Sequence, residues 1–445
     1  MLVTVASFVF VLSLLVFVHE AGHFAAAKLA GIRVLRFSFG FGKVLLHFHW
    51  RGTEYALSML PLGGYVKMAG GDDAESTGAP DEFLSKPPWV RMVVAAAGPA
   101  MNIVLAILLY AAVAKAGYTM FTFPNRVGGV LETVRIGERD IPAPALAAGF
   151  REGDVIVAVD GRATKHWFEL QQYVNDAVGR PVVFNVKRNG HPARLVATPL
   201  LEPDSGRGMI GLMPYQSPQV YLVATKSAAG KAGVAKGDRL AACNGRPLSS
   251  FTELVSIAMA AKPGQYDVSF AGVKGAKVAR VDYRQGGAEA FLEALGVDCG
   301  IVEVKRSSTW LGAVPEGARQ TWDVVKGTAR AFSWLVKGEV KVTKALGGPI
   351  TMARVAGATA RAGAVTFFTY IGYLSVMLGM LNLLPVPVLD GGHILIASVE
   401  TVRRKRLPAR AREIVTVVGL AVIVGITLLA LFVDVNRFIH GGGMP

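Results

Sequence analysis

Apolar residues dominate four stretches of the chain: Val3 to Ala27, Trp89 to Gly117, Phe367 to Val399 and Ile414 to Val433. Each is near the ~20 apolar residues a helix needs to cross a bilayer, so the pattern predicts four transmembrane helices. The last carries no charge, and the third is interrupted by two prolines and two glycines between Asn382 and His393. The first stretch looks in part like a secretory signal ending at Ala25-Ala26-Ala27. No Lys or Arg precedes its apolar run, however, and His19, Glu20 and His23 sit inside it, so it is expected to be retained.

Between the second and third spans the pattern changes to short strands and turns, and it repeats. Ala148-Gly149, Gly153-Asp154, Asp160-Gly161 and Glu169-Leu170 recur at a constant offset as Ala232-Gly233, Gly237-Asp238, Asn244-Gly245 and Glu253-Leu254. Each copy reads as a turn, a strand (Val155 to Val159; Arg239 to Cys243), an Asx-Gly turn and a helix, which predicts two small mixed α/β modules. The stretches A-G-F-R-E-G-D-V-I-V-A-V-D-G and A-G-V-A-K-G-D-R-L-A-A-C-N-G resemble the PDZ family. That resemblance implies docking of peptide termini by strand addition at a sheet edge, with a role as a bulk-excluding spacer equally compatible.

After the repeat, Trp322, Val325, Ala329, Phe332 and Val336 fall at three- and four-residue intervals, predicting an amphipathic helix on the membrane surface or against the second module. Between the first two spans, Lys43 to Trp50 and Glu54 to Met59 flank Arg51-Gly52-Thr53 and predict a membrane-associated β-hairpin. The expected organisation is span 1 at 1–30, the β region at 31–88, span 2 at 89–117, modules at 118–205 and 206–303, and the amphipathic helix and linker at 304–366. Span 3 at 367–399, a basic loop at 400–413, span 4 at 414–434 and a tail at 435–445 complete it.

A hydrophobic share of 52% agrees with a membrane protein. The net charge of +15 would suit nucleic acid, but its placement argues for topology instead. Lys28, Arg33, Arg36 and Lys43 follow the first span, and Arg403, Arg404, Lys405, Arg406, Arg410 and Arg412 precede the last. Both loops should be cytoplasmic, which puts both termini and the repeated modules outside and removes the case for nucleic acid. Cys243 and Cys299 are too few for a cysteine zinc site, and the sequence leaves open whether they pair.

His19-Glu20-Ala21-Gly22-His23 is H-E-x-x-H. On a helix, histidines at i and i+4 share a face and can grip one metal, with Glu20 beside them as a base for water. Ionisable residues in a span are costly and mark function. A catalytic zinc needs a third protein ligand, and Asp390, the carboxylate of the interrupted third span, is the candidate. Its competing role is to cap the helix that follows it. His393 ranks below it as a ligand.

With H-E-A-G-H in one span, N-L-L-P-V-P-V-L-D-G-G-H in another and PDZ-like modules between, the chain resembles the site-2 protease family of intramembrane zinc metalloproteases, most closely its bacterial regulator of sigma-E protease type. Gly98-Pro99-Ala-Met-Asn102 and Gly347-Gly348-Pro349-Ile350 also resemble family segments. The resemblance covers nearly the whole chain. It implies a polytopic α-helical membrane protein of the bacterial inner membrane, with four transmembrane helices, a membrane-associated β-hairpin region and two tandem PDZ-like domains. It further implies zinc on His19, His23 and Asp390, Glu20 as catalytic base, and substrate contacts at Asn382 and Pro385. The segment Gly40 to Met59 would offer a strand edge to substrate. Expected substrates are single-span membrane proteins already trimmed outside, of the anti-sigma factor type, and signal-peptide remnants, cut in envelope-stress signalling. The rivals are a non-catalytic membrane-anchored PDZ scaffold, which has no use for Glu20, and a metal transporter, which would line a path with more polar residues.

Overall fold

The computed structural model describes residues 2–71, 76–137, 139–203, 206–272, 275–340 and 347–439, so the end of the expected tail, 440–445, lies outside the described residues. The chain forms two compact units: residues 1–118 with 306–445, and residues 119–305.

Among the described residues of the first unit, four helices are long and apolar enough to cross a membrane: Leu2–Leu29, Pro88–Ala116, Ala364–Asn382 and the segment Arg410–Asn436 of the helix Ala409–Ile439. These match the four apolar stretches, with the third ending where its interruption begins. On the first helix the buried positions Val11, Leu15, His19, His23 and Ala27 recur every four residues. This stripe continues from an apolar packing surface, where Val11 and Leu15 meet Ile371 and Leu374 of the third span, into the two histidines. Gly22 lets the second span approach closely, because a Cβ there would lie 2.4 Å from the Ala97 carbonyl oxygen.

The β region is larger than the predicted hairpin. Its strands are Val34–Trp50 and Thr53–Met68, and each folds back to pair twice. Phe37 pairs with Tyr55 on one side and Val66 on the other, while Phe48 also pairs with Tyr55. The segments therefore lie in the order 64–68, 34–39, 54–57, 44–50, so within the segment Gly40 to Met59 expected to offer an edge, 44–50 is an outer strand and 54–57 an inner one. Gly40, at φ 89°, sits where the first strand reverses.

The helix Trp310–Val336 forms within the stretch predicted, and small residues bring it against the second span. Ala313, Gly317 and Thr321 are its buried positions nearest the second span, and a Cβ on Gly317 would sit 2.5 Å from the Ile107 carbonyl oxygen. Of the predicted apolar face, Val325 packs beside Ala106, Tyr110 and Val376, while Trp322 and Val336 are exposed. Small residues allow close backbone approach, a preference that apolar periodicity does not register. The helix Pro349–Ala362 follows, and Asp434 of the last helix accepts from the amides of Gly348, Ile350 and Thr351 at its start.

The second unit contains the repeat. Its sheets have the strand orders His191–Ala197, Val182–Arg188, Val155–Val159, Arg162–Ala163 and, correspondingly, Gly275–Tyr283, Gly264–Gly272, Arg239–Cys243, Arg246–Pro247. The Asx-Gly turns are alike: Asp160 and Asn244 have φ of 48° and 49°, and Gly161 and Gly245 both 78°. Leu212–Pro214, assigned by sequence to the second module, pairs with Val127–Val130 of the first. Cys243 and Cys299 are both free thiols in the second module's core, and burial pushes Cys299 up to about 12.

Candidate metal centre

The first span presents His19 and His23 one turn apart, and the broken third span brings Asp390 to them. His19 Nε2 lies 3.0 Å from Asp390 Oδ2, His23 Nε2 lies 3.2 Å from Asp390 Oδ1, and the two Nε2 atoms are 3.1 Å apart. Two ligand atoms on a tetrahedral zinc, each ~2.0–2.1 Å from it, would be separated by about 3.3 Å. Among the described residues, these three form the one cluster of His, Cys, Asp and Glu able to hold a metal ion. Asp390 is not a cap: the helix Asp390–Arg403 has Leu389 at its N-cap, with no side-chain capping bond.

The break that delivers Asp390 is tightly folded. Residues between Asn382 and Asp390 leave the helix after a span rich in apolar contacts, and Val388 adopts φ 90°, a strained backbone for a β-branched residue. A Cβ on Gly391 would come within 2.1 Å of the Leu384 carbonyl oxygen, and one on Gly392 within 2.6 Å of that of Val386. Gly419 of the last span closes the other side, where a Cβ would meet the Pro387 carbonyl oxygen at 2.1 Å. These glycines make room for backbone folded onto backbone.

The second span orients the imidazoles. His23 Nδ1 donates to the Val94 carbonyl oxygen at 2.8 Å, which leaves the Nε2 lone pair facing Asp390 and His19. Asn102 Nδ2 lies 3.2 Å from His19 Nδ1, while Asn102 Oδ1 is buried without a hydrogen-bond partner. Exchanging the two ends of the amide lets Oδ1 accept from His19 Nδ1, which leaves His19 Nε2 as a ligand. The Asn102 backbone carbonyl is itself held by Ser375 Oγ at 2.7 Å. At Gly98 a Cβ would stand 2.4 Å from His23 Nε2 and 2.8 Å from His19 Cε1, so this glycine gives the two rings their space. The tautomers and the donor set fit zinc.

Glu20 lines a cavity of about 360 Å³ with His23, Asp390, His393 and the strand segment Val66 to Met68. Its Oε2 accepts from the Val66 amide at 3.1 Å. Asn382, at the end of the third-span helix, and Pro385, in the break, do not line this cavity. His393 lines it but stands outside the three-residue cluster. The strand edge beside the cavity is therefore 64–68, whose role the sequence pattern did not disclose.

A buried ion pair ties the same elements together at the other end of the helix Asp390–Arg403. Arg91 Nη2 of the second span donates to Glu400 Oε2 at 2.5 Å, and Glu400 Oε1 accepts from the Leu407 amide at 2.9 Å.

A family profile described as Peptidase family M50 matches residues 7–426. The regulator of sigma-E protease RseP of Escherichia coli is 32% identical over 97% of this chain and 98% of its own length. A Neisseria meningitidis protein bearing the name of a zinc metalloprotease is 32% identical over 98% of this chain and 99% of its own. The regulator of sigma E protease of Salmonella typhi is 32% identical over 97% of this chain and 98% of its own.

Proposed function

Because the chain belongs to peptidase family M50, the site-2 proteases, and is therefore a zinc metalloprotease of the membrane, we propose that it hydrolyses a peptide bond within the transmembrane segment of a single-span protein. The convergence of His19, His23 and Asp390 from helices far apart in sequence carries this reading. These three residues would hold the zinc, which when bound supplies Lewis acidity for the scissile carbonyl and the attacking water. Glu20, at the cavity wall, accepts the proton from water and returns it to the leaving amine.

A substrate helix hides its backbone in i to i−4 hydrogen bonds, so it must unwind before attack. The edge 64–68, next to Glu20, offers main-chain groups to an extended segment. Asn382 and Pro385, at the mouth of the break, would hold the unwound chain on its other side. We assign the paired α/β modules as tandem PDZ-like domains outside the membrane, docking peptide termini or screening out untrimmed substrates. The names of the Escherichia coli and Salmonella relatives support an anti-sigma factor as the class of substrate, with signal-peptide remnants as a second, cut at the bacterial inner membrane.

The test is Glu20→Gln in the purified full chain. It should keep its metal by elemental analysis and cut a single-span substrate about 10²–10⁴ times more slowly. Cleavage at the wild-type rate would dispose of the assignment.

A further inference from the structure

We propose that the cavity between the start of the second span and the loop after Asp390–Arg403 binds the phosphate headgroup of an anionic phospholipid. It is an open cleft of about 500 Å³, walled by Lys86, Trp89 and Arg91 on one side and by Glu400, Arg404 and Lys405 on the other. The proposal is independent of the protease reading, because neither zinc nor Glu20 takes part.

Charge and hydrogen bonding both call for an anion. Lys86, Arg91, Arg404, Lys405 and Arg406 line the cavity, and among the described lining residues Glu400 is the one carboxylate. Glu400 is already occupied by Arg91 and the Leu407 amide. Arg91 is 5% exposed, and its Nε is buried with no hydrogen-bond partner, an arrangement that is costly for a guanidinium N–H. A phosphate oxygen would accept that hydrogen bond once the guanidinium turns toward the cavity that Arg91 lines, in the planar fork geometry for which guanidinium is suited. The second span also begins here without a side-chain cap, adding the positive end of a 29-residue helix.

The surroundings favour a lipid over a soluble phosphate. Trp89, 64% exposed, stands on the wall at the first turn of a membrane span, where an indole sits at the level of the headgroups. Pro87 and Pro88 extend that wall as an apolar surface for the glycerol and upper acyl chain, and basic pockets between spans are suited to anionic headgroups. An anion there would bridge the second span, which orients the histidines, to the far end of the helix that starts at Asp390.

The experiment compares the full chain, the variant K86Q/R404Q/K405Q and the control K28Q/K43Q/R410Q, which loses the same charge outside the cavity. Each is reconstituted in nanodiscs of phosphatidylcholine with increasing phosphatidylglycerol, and bound phosphatidylglycerol is counted by native mass spectrometry after release into detergent. The wild type and the control should retain it, and the cavity variant should need about ten to a hundred times more lipid for the same occupancy. Equal retention by all three would overturn the site. Displacement of the lipid by millimolar inorganic phosphate would overturn the lipid assignment, since a headgroup held also through its glycerol and chain should resist it.

Discussion

The repeated modules and the metal centre solve the problem of a buried charge in opposite ways. In each module an aspartate follows a glycine turn and meets a cation from its own sheet: Asp154 with Arg188 at 2.8 Å, and Asp238 with Lys277 at 2.6 Å. Each also accepts from an amide three residues earlier, Arg151 or Ala235. The aspartate and its amide bond recur with the repeat, whereas the cation comes from non-equivalent strands, Arg188 from Val182–Arg188 and Lys277 from Gly275–Tyr283. At the metal centre the ligands come from two spans, and the second span orients the two imidazoles through the Val94 carbonyl and Asn102. Local devices can be duplicated with the segment that carries them, whereas a site assembled across the whole chain depends on packing at every junction.

That contrast predicts where single substitutions do most damage. Gly98→Ala places a methyl carbon between two imidazoles and should displace them. A shift of 1 Å alone costs about a hundredfold in rate, and weakened zinc retention, read by elemental analysis, should add to it. An intact metal content and rate would show that the second span yields more than the geometry implies. Glu400→Gln leaves Arg91 charged and buried, and should cost about 3–5 kcal/mol, seen as a lower unfolding temperature of the whole protein. Asn102→Leu removes the partner of His19 and should lower zinc affinity about 10–100-fold, measured by competition with a chelator, with little change in unfolding temperature of the metal-free protein.

The smallest effects belong to the modules. Asp154→Ala and Asp238→Ala should each cost about 1–3 kcal/mol, with faster hydrogen exchange confined to the altered copy's strands. Both carboxyls are held below the ordinary aspartate range. Burial opposes the charge of Asp154, but Arg188 and the Arg151 amide outweigh it; for Asp238 the Lys277 ammonium leads, followed by the Ala235 amide. A lowered folded value means the stabilisation is complete above the unfolded value near ~3.9 and is lost as pH falls through the folded one. Each alanine variant should therefore lose stability at neutral pH and show a shallower decline in acid.

Much of this architecture is readable from residues alone. The four spans follow from apolar runs, the modules from a constant offset, and the imidazole pair from i, i+4 spacing. Asp390 could be nominated because a carboxylate beside two prolines inside an apolar run has few other uses. What stayed hidden shares one property: its meaning lies in a neighbour far along the chain. Gly98 reads as an ordinary helix glycine until the rings of His19 and His23 occupy the space above it. Asn102 reads as a polar residue in a span until His19 stands beside it. The segment 64–68 ends one predicted strand too late for a simple hairpin, and only the double pairing of Phe37 brings Val66 to Glu20.

Among the described residues the last span contributes no ligand and no lining to the cavity, yet Gly419 presses directly against the Pro387 carbonyl. A side chain at that position would push the loop, and the aspartate three residues on would travel with it. The final crossing thus acts as a backstop, and the precision of a catalyst spelled out at residues 19 to 23 depends on a hydrogen atom near the opposite end of the polypeptide.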